Sequence, residues 1–511
     1  MKKKISFLLV LVLILSLFLS SCGKTEEPEE PEEDKHLNVA IYWNANVNPF
    51  DGWGGWWTMR YGIGETLLTM DANMELVECL ADSYTIEDGG TTFRFHIRKG
   101  VKFSNGDELT PKHAVESIKK TAEENSRGNQ LKLASAEVDG EYAVFHTTEP
   151  YAAFIYIVTE PMCIVVDTDV DMSNFDIYPI CTGPYKVIDH VKDEKWELEA
   201  NEYYWKGVPK IKYITNYNIA GDTRIQALIS GQIDMAYSPS TATLPLMEGH
   251  SELKRIDAIG TRESDIVINC REGRPTADKN LRLALAYALD RAVLAQISGN
   301  GTAAPLAKCF PDSTGYDLSN VIAPDYDIAK AKDHLEKAGY KDEDGNGYVE
   351  KDGEELVLKI LLSSSSNTAV YTSMIDMWKA VGIHVELDPM ESVSDKRKAG
   401  EFDILGSGWQ TMNNGDGQSY MTNRWADGGT DNYAGYHSDE FEAVIGRLNK
   451  AFTAEERAKI FGEAAQIITD DCPAIFYAAT ANYDVINTDR MNDIVIYPID
   501  YYVIDNTWTM K

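Results

Sequence analysis

Two hydrophobic rhythms take turns along this chain, and between them they predict most of its elements. Phe93, Phe95 and Ile97 alternate with Arg94, His96 and Arg98, which predicts a strand with one buried and one wet face. Trp196, Leu198 and Ala200 keep the same period of two, and so does the run 381–387 (VGIHVEL). Further strands are predicted at 36–41, from Tyr185 after the turn Thr182-Gly183-Pro184, at 211–217 and at 266–269. A last one at 472–477 returns the chain towards its first half.

The longer rhythm predicts helices. Thr110-Pro111 opens one with Pro at its first position, and residues 61–68 read as another. Asp222 caps a helix with Ile225, Leu228 and Ile229 on one face, stopped by Gly231. A single helix is predicted through 281–291 (LRLALAYALDR). Asp327 caps a helix with Ile328, Ala331, Leu335 and Ala338 on one face and Gly339 at its end. Thr453 and Glu456 have the spacing of a capping box, for a helix ending near Thr469.

The beginning of the chain follows neither rhythm. Lys2, Lys3 and Lys4 precede an almost wholly apolar run, 5–19, and Leu19-Ser20-Ser21-Cys22-Gly23 follows. The run is short for a bilayer span of ~20 residues, so a cleaved signal at 1–21 is expected. This pattern resembles bacterial lipoproteins, which implies that Cys22 becomes the lipidated first residue. Residues 25–34 (TEEPEEPEED) carry acid and proline with no apolar side chain, so 22–35 is expected to be a solvated, lipidated tether.

At 511 residues the chain exceeds the ~250–300 that one core accommodates. Three motifs in order then narrow the reading: TGPY at 182–185, NEYYWKGVPKI at 201–211 and DTRIQALISGQIDM at 222–235. Together they resemble the large extracellular solute-binding proteins, family 5, that feed peptide and nickel ABC importers. Arg98-Lys99-Gly100 before a turn and a Thr-led helix, and the strand ending at Asn269 before ALAYALDR at 284–291, resemble the same family. The resemblance implies an α/β fold of the two-lobed periplasmic-binding-protein type II, with a hinge and an insertion domain. Residues 36–75, 182–265 and 485–511 would form the first lobe, 76–181 the insertion domain and 266–484 the second lobe. It also implies a monomeric carrier on the outer face of the cytoplasmic membrane, which hands its solute to a membrane permease. The ligands it suggests are, in order, an oligopeptide, a nickel or other metal chelate, and a short oligosaccharide.

Charge and motifs trim the alternatives. A formal charge of −33 repels nucleic acid and anionic lipid. The sequence has no GxSxG, no HExxH and no glycine-rich phosphate loop, and its nine His are scattered singly, so a surface-anchored hydrolase is the weaker class. No cofactor is required. Six cysteines besides Cys22 form no CxxC; pairing and buried free thiols both stay open.

The candidate site follows from the resemblance. Trp53, Trp56, Trp57, Arg60 and Tyr61 would come from the first lobe, and Trp409, Asn413, Asn414, Asp416 and Trp425 from the second. The three tryptophans stand among glycines and read either as an aromatic wall facing the ligand or as loop packing. Trp409 ends its strand where the family places a ligand-facing Trp. Arg60 and Arg424 could hold a ligand carboxylate or sit in surface ion pairs. Peptide binders often carry an Asp three residues after the Trp; here it is Met412, with Asp416 as the substitute. Nickel binders carry an Arg in the loop matching 161–164, where this chain has Cys163. Separately, Asp342, Asp344 and Asn346 before Gly347 resemble the first half of a calcium loop, with Glu350 nearby. The twelfth position, due a Glu, is Gly353, which favours an acidic hairpin turn over a structural Ca²⁺ site.

Overall fold

The computed structural model describes residues 35–511 except 300, 365 and 367. The signal segment, Cys22 and nearly all of the tether lie outside the described residues. Residues 36–511 form one compact unit. Among the described residues no helix is long and apolar enough to cross a membrane.

One large sheet carries the fold. Its strands are β1 (His36–Ala40) and, after the insertion, β6 (Tyr185–Val191), β7 (Lys195–Ala200), β8 (Tyr213–Tyr217), β9 (Met235–Tyr237), β10 (Leu253–Ile268), β11 (Val357–Ser363), β12 (His384–Met390), β13 (Ile404–Gln410) and β14 (Ala474–Asn487). They lie in the order β12-β11-β13-β10-β14-β9-β1-β8-β7-β6, and the short strand Ala304–Pro305 adds to β14. β1 pairs in parallel with β8 and β9, as crossover connections require, while β6, β7 and β8 form an antiparallel meander. Trp196 and Leu198 point inward from β7 as their alternation predicts.

β10 and β14 run through both halves of this sheet. They pair antiparallel from Leu253↔Asn487 to Val267↔Ala474, with a register shift between Ile259 and Glu263. On one side of the shift β14 meets β9 of the first lobe; on the other β10 meets β13 of the second. Gly260 sits at the shift, where a Cβ would lie 3.0 Å from the Thr480 carbonyl oxygen. The predicted strand at 266–269 is thus the end of a 16-residue strand. Its first part carries Lys254, Arg255, Asp257, Arg262 and Glu263 between the apolar residues, which hid it from an alternation test.

The insertion has its own sheet, β2 (Ala81–Glu87), β3 (Thr92–Ile97), β4 (Leu133–Asp139) and β5 (Tyr142–Thr147), in the order β2-β3-β5-β4. Phe93 and Phe95 point from β3 into a core with Phe145 and Phe154, and burial of each stabilises by about 1.5–3 kcal/mol. A helix over Pro111–Glu124 begins at Thr110, which shares a capping box with His113.

The signature stretch turns out to be scaffold. Thr182, Tyr204 and Trp205 all donate to the buried Glu65 carboxylate, at 2.9, 3.1 and 2.9 Å, and Lys206 stands 3.7 Å away. The first two motifs, TGPY and NEYYWKGVPKI, therefore converge on one carboxylate, Glu65.

Four helical expectations need correction, the first being that Asp222 caps its helix: that helix is Arg224–Ile229, with Thr223 at the cap position and no side-chain cap bond. Residues 61–67 are irregular, and the helix is α1 (Gly54–Arg60) instead. Tertiary contact decides this: a Cβ on Gly55 would lie 2.3 Å from the Pro161 carbonyl oxygen, so only glycine lets the helix approach that loop. The run 281–291 forms two helices, Lys279–Tyr287 and Arg291–Ser298, because the Asp290 side chain accepts from Ala292 and Val293 N–H and caps a new start. Ile229 is exposed, although Ile225 and Leu228 are buried as expected. The helices beginning after Asp327 and Thr453 form with the predicted caps. The six cysteines among the described residues are free, five of them buried.

Candidate functional site

The loop after β13 is where the parts of the molecule meet. β13 is registered on β10 through Ser264↔Gly408, Glu263↔Trp409 and Arg262↔Gln410. Beyond it, Thr411 N–H and Oγ1 donate to the Thr261 carbonyl at 3.1 and 2.7 Å, beside the register shift. The Asn413 carbonyl accepts from Tyr501 OH (2.8 Å), and the Asn414 carbonyl from Thr159 Oγ1 (3.2 Å). One seven-residue connection is thereby fastened to the first lobe, the insertion and the crossing strand before helix α2 (Gln418–Arg424) begins.

A cavity of about 700 Å³ opens beside this loop. Its walls include Tyr84 and Tyr156 from the insertion, and Tyr316, Met412 and Phe452 from the second lobe. That volume falls within the ~300–1,000 Å³ of small-ligand sites, which pair apolar walls with few polar anchors. The anchors here are Asp416 and Arg457, which are 3% and 1% exposed. Arg457 Nε donates to Asp416 Oδ2 and Nη2 to Oδ1, both at 2.7 Å, and its remaining donors reach the Leu448 and Ala451 carbonyls and Gln418 Oε1. Burial, and then the Asp416 charge, push the Tyr156 phenol up to about 12; Tyr316 is raised further by the same causes. Both are neutral hydroxyls at ordinary pH.

A second buried cluster lies behind β13. Glu263 and Asp265 share a face of β10, two residues apart, and Arg424 from α2 reaches them. Arg424 Nη2 bonds Asp265 Oδ2 and also reaches Ser407 Oγ at 3.0 Å. Arg424 Nε and Nη1, both Glu263 oxygens and Asp265 Oδ1 have no hydrogen-bond partner among the described residues.

Of the residues expected at the site, Asp416 lines the cavity and the tryptophans do not; Met412, which stands where peptide binders often carry an Asp, lines it too. Trp56 is buried; its Nε1 donates to Glu160 Oε1 at 3.2 Å and its ring meets Tyr501. Trp53 is exposed and lies under the Arg127 guanidinium at 3.8 Å. Trp57 is half-buried against the first-lobe core. The glycines among them serve close backbone approach, since a Cβ on Gly54 would lie 2.1 Å from the Asn48 carbonyl oxygen. Tyr61 is fully buried, its hydroxyl donating to the Tyr42 carbonyl. Arg60 is also buried, paired with Asp500 at 3.2 Å and surrounded by Tyr42, Trp56 and Trp57. Trp425 is core, and Trp409 is half-buried over Arg424 at 5.3 Å. Arg60 and Arg424 are thus buried structural pairs rather than surface ones. Asn413 and Asn414 act through their backbone carbonyls, and the Asn414 side chain turns back to Asp416 N–H. Sequence reasoning missed Tyr84, Tyr156, Tyr316, Phe452 and Arg457. Arg457 was legible: it sits on the apolar face of its helix, in phase with Ile460, Phe461, Ala464 and Ile468.

Comparison with known proteins fits this architecture. The profile described as "Bacterial extracellular solute-binding proteins, family 5 Middle" matches residues 75–432. The nickel-binding protein NikA of Staphylococcus aureus is 24% identical over 500 residues, covering 97% of each chain. A nickel ABC transporter structure from Bacillus halodurans superposes with a TM-score of 0.81 at 24% identity, over 93% of this chain and 99% of that one. The oligopeptide-binding protein AppA of Bacillus subtilis, solved with a nonapeptide, gives 0.71 at 20% identity, over 94% and 100%. The structural likenesses establish the two-lobed fold. With its profile matching well over half of the residues, the chain belongs to the bacterial extracellular solute-binding proteins of family 5, carriers that bind a solute for an ABC importer rather than transform it.

Proposed function

We propose that the cavity beside Asp416 takes an oligopeptide, and that the chain delivers it to a membrane permease from a lipid anchor at Cys22. The observation that carries the ligand is the pairing of a buried acid and a buried guanidinium, Asp416 and Arg457, on an otherwise tyrosine-rich wall. A peptide is itself an ion pair drawn out along a polar backbone. Asp416 Oδ2 accepts only from Arg457 and keeps a lone pair for an amine, whereas Oδ1 already accepts from both Arg457 and Gln418 N–H. Arg457, its N–H donors all used, contributes only a positive charge that favours a nearby carboxylate, and neutral tyrosine hydroxyls can serve both peptide N–H and C=O. Among the described lining residues there is no His or Cys to ligate a metal directly. Rotation at the register shift of β10 and β14 would open and close the cavity, and closure would exclude water and strengthen these contacts. Residues 25–34 would hold the monomer off the outer face of the cytoplasmic membrane.

The test is native mass spectrometry of the full chain purified in mild detergent, followed by denaturing release of whatever travels with it. Short peptides of mixed sequence are expected. Recovery of a nickel chelate or a sugar would overturn the peptide reading and keep the carrier role. Absence of any melting shift with peptide libraries, chelates and sugars alike would overturn both.

A further inference from the structure

We propose that residues 342–350 form a calcium site that clamps one edge of the second lobe. The segment turns back on itself: Lys341 N–H donates to the Glu350 carbonyl (3.0 Å) and Glu350 N–H to the Lys341 carbonyl (2.8 Å). Inside this closure one carboxylate oxygen each from Asp342, Asp344 and Glu350 lies within 4.8 Å of the others. Asp342 accepts from Gly345 and Gly347 N–H, Asp344 from Asn346 N–H, and Asn346 Oδ1 from Tyr348 N–H, which orders the loop without neutralising it.

The observation that points to an ion is Glu350. Its side chain belongs to a residue only 8% exposed, and Oε2 accepts from Glu343 N–H at 2.8 Å. Oε1 is buried with no partner among the described residues, and no lysine or arginine among them forms an ion pair with Asp342, Asp344 or Glu350. A buried carboxylate oxygen with no partner, beside two other carboxylates, is a place where a cation would be favoured. All the donors are oxygens, which selects a hard cation. Ca²⁺ holds oxygens at about 2.3–2.6 Å, so ligands across the ion stand up to about 4.6–5.2 Å apart, and oxygens within 4.8 Å of one another are compatible with it. Mg²⁺ demands near-ideal octahedral geometry and dehydrates reluctantly, which an irregular carboxylate loop serves less well. Spacing along the chain argued against the site, because Gly353 occupies the twelfth position of a helix-loop-helix calcium loop. The fold supplies Glu350 instead, from the ninth position, by reversing the chain three residues earlier. Val349 and Tyr340 flank the loop and are both buried in the second-lobe core, and Val349 N–H donates to the Gly382 carbonyl, so an ion here would stiffen that edge.

The full chain, stripped with EDTA, tests the site. Millimolar CaCl₂ is expected to raise its melting temperature, with MgCl₂ weaker, and to displace terbium whose luminescence is sensitised by Tyr348. Asp344→Asn, at an exposed position, and Glu350→Gln should each abolish the rise and the terbium signal. Asp344→Asn keeps the test interpretable if Glu350→Gln fails to fold. No rise with CaCl₂, or an equal rise in both variants, would overturn the proposal and leave general screening of an acidic surface as the cause.

Discussion

Arg457 and Arg424 stand in the same lobe, equally buried, each beside a carboxylate, and they are held in opposite ways. Arg457 places two parallel bonds on Asp416 and gives its other donors to carbonyls. Arg424 bonds one oxygen of Asp265 and one serine, while Glu263 lies 3.8 Å away with neither oxygen bonded among the described residues. The difference originates in the backbone. Arg457 is served by the segment ending its neighbouring helical turn, whose Leu448 and Ala451 carbonyls accept from it. Arg424 faces a strand, whose carbonyls are used in the ladder and whose period of two puts both acids on one face. A complete buried pair is a fixed anchor. An incomplete one next to the register shift stores a burial cost that protonation relieves.

Breaking the complete pair should have the largest effect. Asp416→Ala leaves Arg457 buried and unpaired, and should cost about 3–5 kcal/mol in equilibrium denaturation. Adding Arg457→Met should recover much of that loss, since it removes the stranded charge. An Asp416→Ala protein as stable as the parent would mean that the pair is not formed in solution.

The incomplete cluster should respond much less, and through pH. Burial, and after it the Asp265 charge, push the Glu263 carboxyl well above its ordinary range. In the folded chain Glu263 therefore keeps a proton that the unfolded chain releases near pH 4.3. Folding binds that extra proton, so this contribution is fully present below about pH 4.3 and is lost as pH rises towards the raised folded value. Glu263→Gln should cost under about 1 kcal/mol at pH 5 and flatten the fall of melting temperature towards pH 8. An unchanged pH profile would show that Glu263 is ionised in the fold.

Trp409→Ala should be the mildest. It removes the ring over Arg424, worth about 0.5–1 kcal/mol, and should leave ligand capture intact because the cavity is walled elsewhere. A large loss of captured ligand at unchanged stability would return Trp409 to the site.

Much of this molecule was legible residue by residue. The alternation at Phe93–Ile97 and Trp196–Ala200, and the caps at Thr110, Asp327 and Thr453, concern groups a few bonds apart, and local sterics and hydrogen bonding settle them. The motif order at 182–235 resembled the right family, and the structure shows Thr182, Tyr204 and Trp205 from its first two motifs holding Glu65. What the sequence left undecided was which charged group meets which. Arg60 pairs across 440 positions with Asp500, Arg457 across 41 with Asp416, and Glu350 folds back onto Asp342 and Asp344 although spacing along the chain favoured a plain hairpin turn. Local rhythm determines which face of an element is buried. Only the assembled fold, where burial removes water and makes each unpaired charge costly, decided which of the many acids became an anchor, a proton store or an ion site.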